Sequence, residues 1–217
     1  MLRSIGQLYG KKLGASDGDI GHVKDFYFND RQWAIRYVVA DTGSWLTGRL
    51  VLLSPHAFRN LYQDGDCLLV NLTRQKIENS PAIESHKPVS RQYEGEYFRH
   101  YGWAPYWDRS RNSEDPHLRS TKALGGYHIQ TSEGAIGHVT DFMMDDKSWA
   151  IRHLVVETGH WFSGKEIVIS PKHIDRISYG ESKVFVNVTK EAILEAPEYH
   201  VPPLGAAYHD TRNFDAS

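Results

Sequence analysis

The sequence predicts a mainly β chain: two tandem small β-barrels with short helices, joined by a helical, aromatic-rich linker. Three observations predict it. Shifted by 116 positions, the chain overlays itself without a gap, and 29 of the 79 positions from 3 to 81 match their counterparts. Short runs of β-branched and aromatic residues alternate with turn formers at close spacing, the pattern of small β folds. The positions kept in both copies are mostly Gly, Pro, Trp, aliphatics and turn formers, which define a backbone path and a core rather than a reaction.

The elements follow in order. Ser16-Asp17-Gly18-Asp19 is a turn signal, and the run from Ile20 to Phe28 reads as a strand. Asn29-Asp30-Arg31-Gln32 then links it to a strand from Trp33 to Ala40, as Asp145-Asp146-Lys147-Ser148 does in the second copy, and each pair reads as a hairpin. Thr42-Gly43-Ser44 turns the chain into a strand from Arg49 to Leu53, matched by Lys165 to Ile169. Ser54-Pro55 has an N-cap residue followed by proline, the start of a short helical turn. Leu68, Val70 and Leu72 alternate with Leu69 and Asn71 as a late strand, with Val184, Val186 and Val188 on the same face of the second copy. Thr73 and Thr189 can cap a last short helix that Pro81 and Pro197 stop. The domains are therefore residues 3–81, a linker over 82–118, residues 119–197, and a C-terminal tail over 198–217. At about 80 residues one copy has a modest core, so docking between copies or dimerisation would support it.

Bulk composition narrows the function classes. Hydrophobic residues make up 40% and charged residues 24%, and the formal net charge is −2 with a pI near 6.6. Phosphate contacts need clustered Lys and Arg, so nucleic acid is a disfavoured partner. Cys67 is the single cysteine, so no intrachain disulfide forms. Met1 to Gly6 lacks the apolar core of a signal peptide, and no apolar run reaches the roughly 18 residues of a membrane span. The expectation is a cytoplasmic protein with no membrane span.

Each repeat resembles the PRC-barrel domain, the small β-barrel of the photosynthetic reaction-centre H subunit and of the C-terminus of the ribosome maturation factor RimM. The residues behind the resemblance are Gly18, Ile20-Gly21, Val23, Asp25-Phe26, then Asp30, Trp33 to Val39, Asp41-Thr42-Gly43, Trp45-Leu46, Gly48-Arg49 and Leu53-Ser54-Pro55. The second copy repeats the pattern from Gly134 to Pro171. Lys87 to Glu94, with Tyr101-Gly102-Trp103, Pro105-Tyr106-Trp107, is similar to the segment that follows the barrel in bacterial two-copy PRC-barrel proteins. The resemblance implies protein or RNA contacts rather than catalysis. It also implies two alternatives: an RNA- or ribosome-associated protein, and an accessory to an electron-transfer complex.

Residues that could carry chemistry have structural readings beside them. His22 and His138 stand three residues before Asp25 and Asp141, which on a strand places them on opposite faces, so a solvent-facing or structural role is expected. His153, His160 and His173 lack the spacing of zinc ligands. Cys67 has Lys183 as its counterpart and reads as an inert thiol. Arg36 and Arg152 read as paired with an acid such as Asp25 or Asp141, or as outward-facing. Asn71-Leu72-Thr73 and Asn187-Val188-Thr189 match the glycosylation pattern, but strand ends and helix caps explain both. No catalytic, cofactor-binding or metal site is assigned and no cofactor is expected.

The linker is the best interaction candidate. Ser90 can cap a helix that Gly102 ends, and Tyr93, Tyr97 and Tyr101 recur at i, i+4 and i+8 as one stripe. Trp103, Tyr106 and Trp107 follow. Such density packs on the chain's own barrels, contacts a partner, or does both through exchange between subunits. The expected function is a non-catalytic interaction or scaffold module with a protein partner, a homodimer, or both. A basic patch from Arg3, Lys11, Lys12, Arg49 and Arg59 would favour the RNA alternative.

Overall fold

The structure is a computed structural model, which describes residues 1–58, 67–81, 91–105, 118–159 and 164–200. The fold is mainly β and divides into two compact units. One is residues 8–120; the other is residues 121–217 together with residues 1–7. The units do not coincide with the repeats, because strand β1 (Leu2–Ser4) belongs to the unit that follows the linker.

In the unit of residues 8–120, β2 (Lys12–Ala15), β3 (Gly18–Asn29), β4 (Ala34–Asp41), β5 (Leu50–Leu53) and β6 (Cys67–Leu69) lie in the order β5-β4-β3-β2-β6, with β7 (Leu118–Ser120) also on β3. All neighbours are antiparallel except β2 and β6. The first half of β3 pairs with β2 and its last three residues with β7. In the other unit, β8 (His128–Thr131), β9 (Gly134–Asp145), β10 (Ile151–Thr158), β11 (Glu166–Ile169), β12 (Ile174–Ser178) and β13 (Lys183–Val186) lie in the order β11-β10-β9-β8-β13-β12, with β1 on β9. β1 fills the same place on β9 that β7 fills on β3.

The expected barrels are open ladders among the described residues. Closure would need hydrogen bonds between the end strands of each order, and those strands are only three to five residues long. The hairpin loops form as expected, although Trp33 belongs to the turn rather than to β4. The Asn29 side chain accepts from the Arg31 and Gln32 amides, and the Trp33 amide donates to the Asn29 carbonyl at 2.8 Å. Asp145 does the same for Lys147, Ser148 and Trp149. Both tryptophans sit at positive φ, 50° and 59°, a backbone region that side chains favour little.

The long strands bend at bulges, and glycine makes this geometry accessible. A Cβ on Gly21 would overlap the Asp41 carbonyl, and one on Gly137 the Glu157 carbonyl. Short helices complete each unit: a 3₁₀ turn at Pro55–Ala57 capped by Ser54, α1 (Arg74–Glu78) capped by Thr73, α2 (Arg91–Tyr101), α3 (Thr121–Leu124), a 3₁₀ turn at Pro171–His173 and α4 (Lys190–Glu195) capped by Thr189. The core of the first unit is built on Ile20, Val23, Phe26, Ile35, Val38 and Leu53, that of the second on Ile136, Val139, Phe142, Leu154, Val156 and Ile169.

Candidate interaction segment

The linker helix α2 is laid on the unit it follows. It ends at Gly102, whose φ of 71° allows the Trp103 amide to reach back to the Phe98 carbonyl at 3.0 Å, a Schellman closure. This turn folds Trp103 onto the helix, stacked on Tyr101 with centroids 4.7 Å apart and planes 15° apart. Tyr97 and Tyr101 follow at 4.8 Å, and Tyr93 and Tyr97 at 6.4 Å. The i, i+4, i+8 spacing therefore produces a continuous aromatic row.

The row is pinned by its hydroxyls. Tyr97 is fully buried; its hydroxyl donates to the Leu52 carbonyl and accepts from the Ser54 amide, both at 2.9 Å. It caps the end of β5, where strand hydrogen bonding stops and two backbone groups need partners. Tyr93 donates to the Pro81 carbonyl at 2.8 Å. Tyr37, projecting from β4, meets Tyr97 edge-on at 5.3 Å and donates to the buried carboxylate of Glu94 at 2.9 Å. Burial pushes the hydroxyl pKa values of Tyr93, Tyr97 and Tyr101 up, because a phenolate there would lose its hydration.

Tyr93, Tyr97, Tyr101 and Trp103 are thus brought together on the unit of residues 8–120, with Trp103 half-exposed at the end. Tyr106 and Trp107 lie outside the described residues, as do Ser90 and Arg59. Composition did not single out Glu94 or Tyr37. The available signal was position: Glu94 stands three residues before Tyr97, on the stripe's side of the helix.

The remaining candidates occupy structural positions. Asp141 accepts from the Ser4 hydroxyl, from the Gly6 amide at 2.7 Å and from the Phe142 amide at 2.7 Å. Burial raises its pKa and these three donors oppose the rise. Asp25 accepts from the Ser120 hydroxyl and from the Phe26 amide. Arg3 bonds Asp146, and Arg119 bonds Asp30 at 3.1 Å. The Arg36 guanidinium bonds the Gln32 side chain on an exposed face. Arg152 is exposed. Arg49 reaches the Glu78 and Ser80 carbonyls.

His22 is exposed, and His138 lies 3.7 Å from Glu157 at the surface. Burial pushes the Cys67 thiol pKa up, away from thiolate reactivity. Among the described residues no three His, Cys, Asp or Glu side chains converge as metal ligands, and no helix is long and apolar enough to cross a membrane. No curated protein matches the chain. The PRC-barrel domain family model matches residues 124–193, within the β-rich unit after the linker.

Proposed function

We propose that the chain is a non-catalytic protein-interaction or scaffold module built from two PRC-barrel-like repeats, with the aromatic linker at its contact surface. One observation carries the reading: polar residues kept in both halves are engaged in holding strands and caps. Ser4 with Asp141 and Ser120 with Asp25 fasten β1 and β7, and Thr73 and Thr189 cap α1 and α4. A carboxylate that accepts two or three local donors is a strand lock, poorly placed to exchange protons with a substrate. Trp103 leaves part of the aromatic row half-exposed, and tryptophan beside tyrosine is the composition of interface hot spots.

Cross-linking of the tagged chain in its source cells, with light scattering of the purified protein, tests the reading. The expected result is a stable protein complex, homodimeric or with another protein, that the double substitution Trp103→Ala/Trp107→Ala weakens at least tenfold. A purified wild type that is monomeric and captures no protein, or one that turns over a metabolite, would overturn it.

A further inference from the structure

The opening strand of each repeat sits on the sheet of the other. β1, from the repeat of residues 3–81, lies on β9, and β7, at the start of the repeat of residues 119–197, lies on β3. The two seats are one recognition site in duplicate. Leu2, Arg3 and Ser4 pair with Asp145, Met144 and Met143; Leu118, Arg119 and Ser120 pair with Asn29, Phe28 and Tyr27. In each, the arginine Nε donates to a mostly buried aspartate, Asp146 at 3.4 Å and Asp30 at 3.1 Å. The serine hydroxyl donates to a second aspartate, Asp141 or Asp25.

The chain that follows the tripeptide differs between the two. β1 runs through Ile5 into a 3₁₀ turn at Gly6–Leu8, whereas β7 runs straight into α3. The shared recognition is therefore confined to an extended Leu-Arg-Ser segment added antiparallel to the long strand. Both occupants come from outside the repeat that they complete, and a second copy of the chain carries the same segment twice. Trading the segment between two copies keeps the strand pairing, the Arg-Asp contact and the Ser-Asp bond. It gives up only the tethering of the strand, an effective concentration of about millimolar for a short link.

We propose that the end of β9 is a strand-docking site whose partner in trans is a second copy of this chain. Two chains pair by trading β1, each seating Leu-Arg-Ser on the β9 of the other. The trade is reciprocal, so the assembly closes as a two-fold dimer, a low-cost route to association. The inference rests on the interaction-module reading and names the partner and the contact at a site other than the aromatic segment.

The test uses two full-length variants, Arg3→Asp and Asp146→Arg. Each places like charges in its own mostly buried seat, whereas each variant's β1 is complementary to the seat of the other. Native mass spectrometry and light scattering of the equimolar mixture, refolded together from urea, should show a one-to-one heterodimer at least tenfold tighter than the self-association of either variant. The double variant Arg3→Asp/Asp146→Arg restores the pair within one chain and should melt with the wild type, which checks that the substitutions are tolerated. Wild-type chains with and without a heavy-isotope label, refolded together at about millimolar concentration, should give dimers of mixed mass. A mixture of the two variants that stays monomeric, or that associates no more tightly than each variant alone, would overturn the proposal. So would the absence of mixed-mass wild-type dimers. If these dimers fail to form while cellular cross-linking still yields a complex sensitive to Trp103, this inference falls and the interaction-module reading stands; failure of both removes both.

Discussion

The two units share a strand order and a locking scheme but differ in what covers their sheets. In both, an antiparallel Leu-Arg-Ser tripeptide lies on the end of a twelve-residue strand, its arginine on one aspartate and its serine on another. Over the sheet of residues 8–120, α2 lays down Tyr93, Tyr97 and Tyr101. Over the other, the described residues provide Tyr199, whose hydroxyl meets the Met143 sulfur. The backbone path is held by a few hydrogen-bonded residues kept in both copies. Among the described residues the cover varies between them.

Substitutions that separate lock from cover probe this comparison. The largest effect is expected for Tyr97→Ala, which empties a fully buried site and leaves the Ser54 amide and Leu52 carbonyl without their partner; a loss of about 3–5 kcal/mol in urea unfolding follows from core truncation. Asp141→Ala and Asp25→Ala should each cost about 2–4 kcal/mol, since each removes at least two hydrogen bonds to a carboxylate. Similar losses at both positions would support a common lock, and a negligible loss at either would break the equivalence. Tyr97→Phe should cost about 1–2 kcal/mol, against under about 1 kcal/mol for Tyr199→Phe, because a thioether sulfur is a weak acceptor.

Much of this was legible in the sequence. The hairpins β3–β4 and β9–β10, the Ser-Pro turns and the threonine-capped helices lie where turn chemistry and β-branched runs placed them. The short strands were not legible: Leu2–Ser4 and Leu118–Ser120 are too brief to show a period of two. Their partners lie more than 85 residues away, so the crossing of β1 and β7 between repeats leaves only a repeated tripeptide as its trace. The tyrosine stripe was readable from helical spacing, whereas burial of Glu94 ran against the expectation for a carboxylate and depends on Tyr37 from a distant strand.

The smallest predicted effect is a pH dependence with opposite signs at two carboxylates of the same unit. Burial raises the Asp141 pKa, so its contribution favours the folded state below the ordinary carboxylate range and is lost as pH rises through the raised value. The amide of Ser148, helped by Lys147, lowers that of Asp145, so its contribution is present above the ordinary range and is lost as pH falls through the lowered value. Urea midpoints measured between pH 3 and 7 should flatten on the neutral side in Asp141→Asn and on the acid side in Asp145→Asn. A profile unchanged by both substitutions would contradict the assigned signs.

Amide hydrogen exchange at Ser54 and Ser170 compares the face that α2 covers with its counterpart directly. The Ser54 amide donates to a fully buried tyrosine hydroxyl and should be protected by orders of magnitude relative to Ser170, which should exchange near the rate of an open chain. Equal protection at the two serines would contradict the difference in cover between the two units.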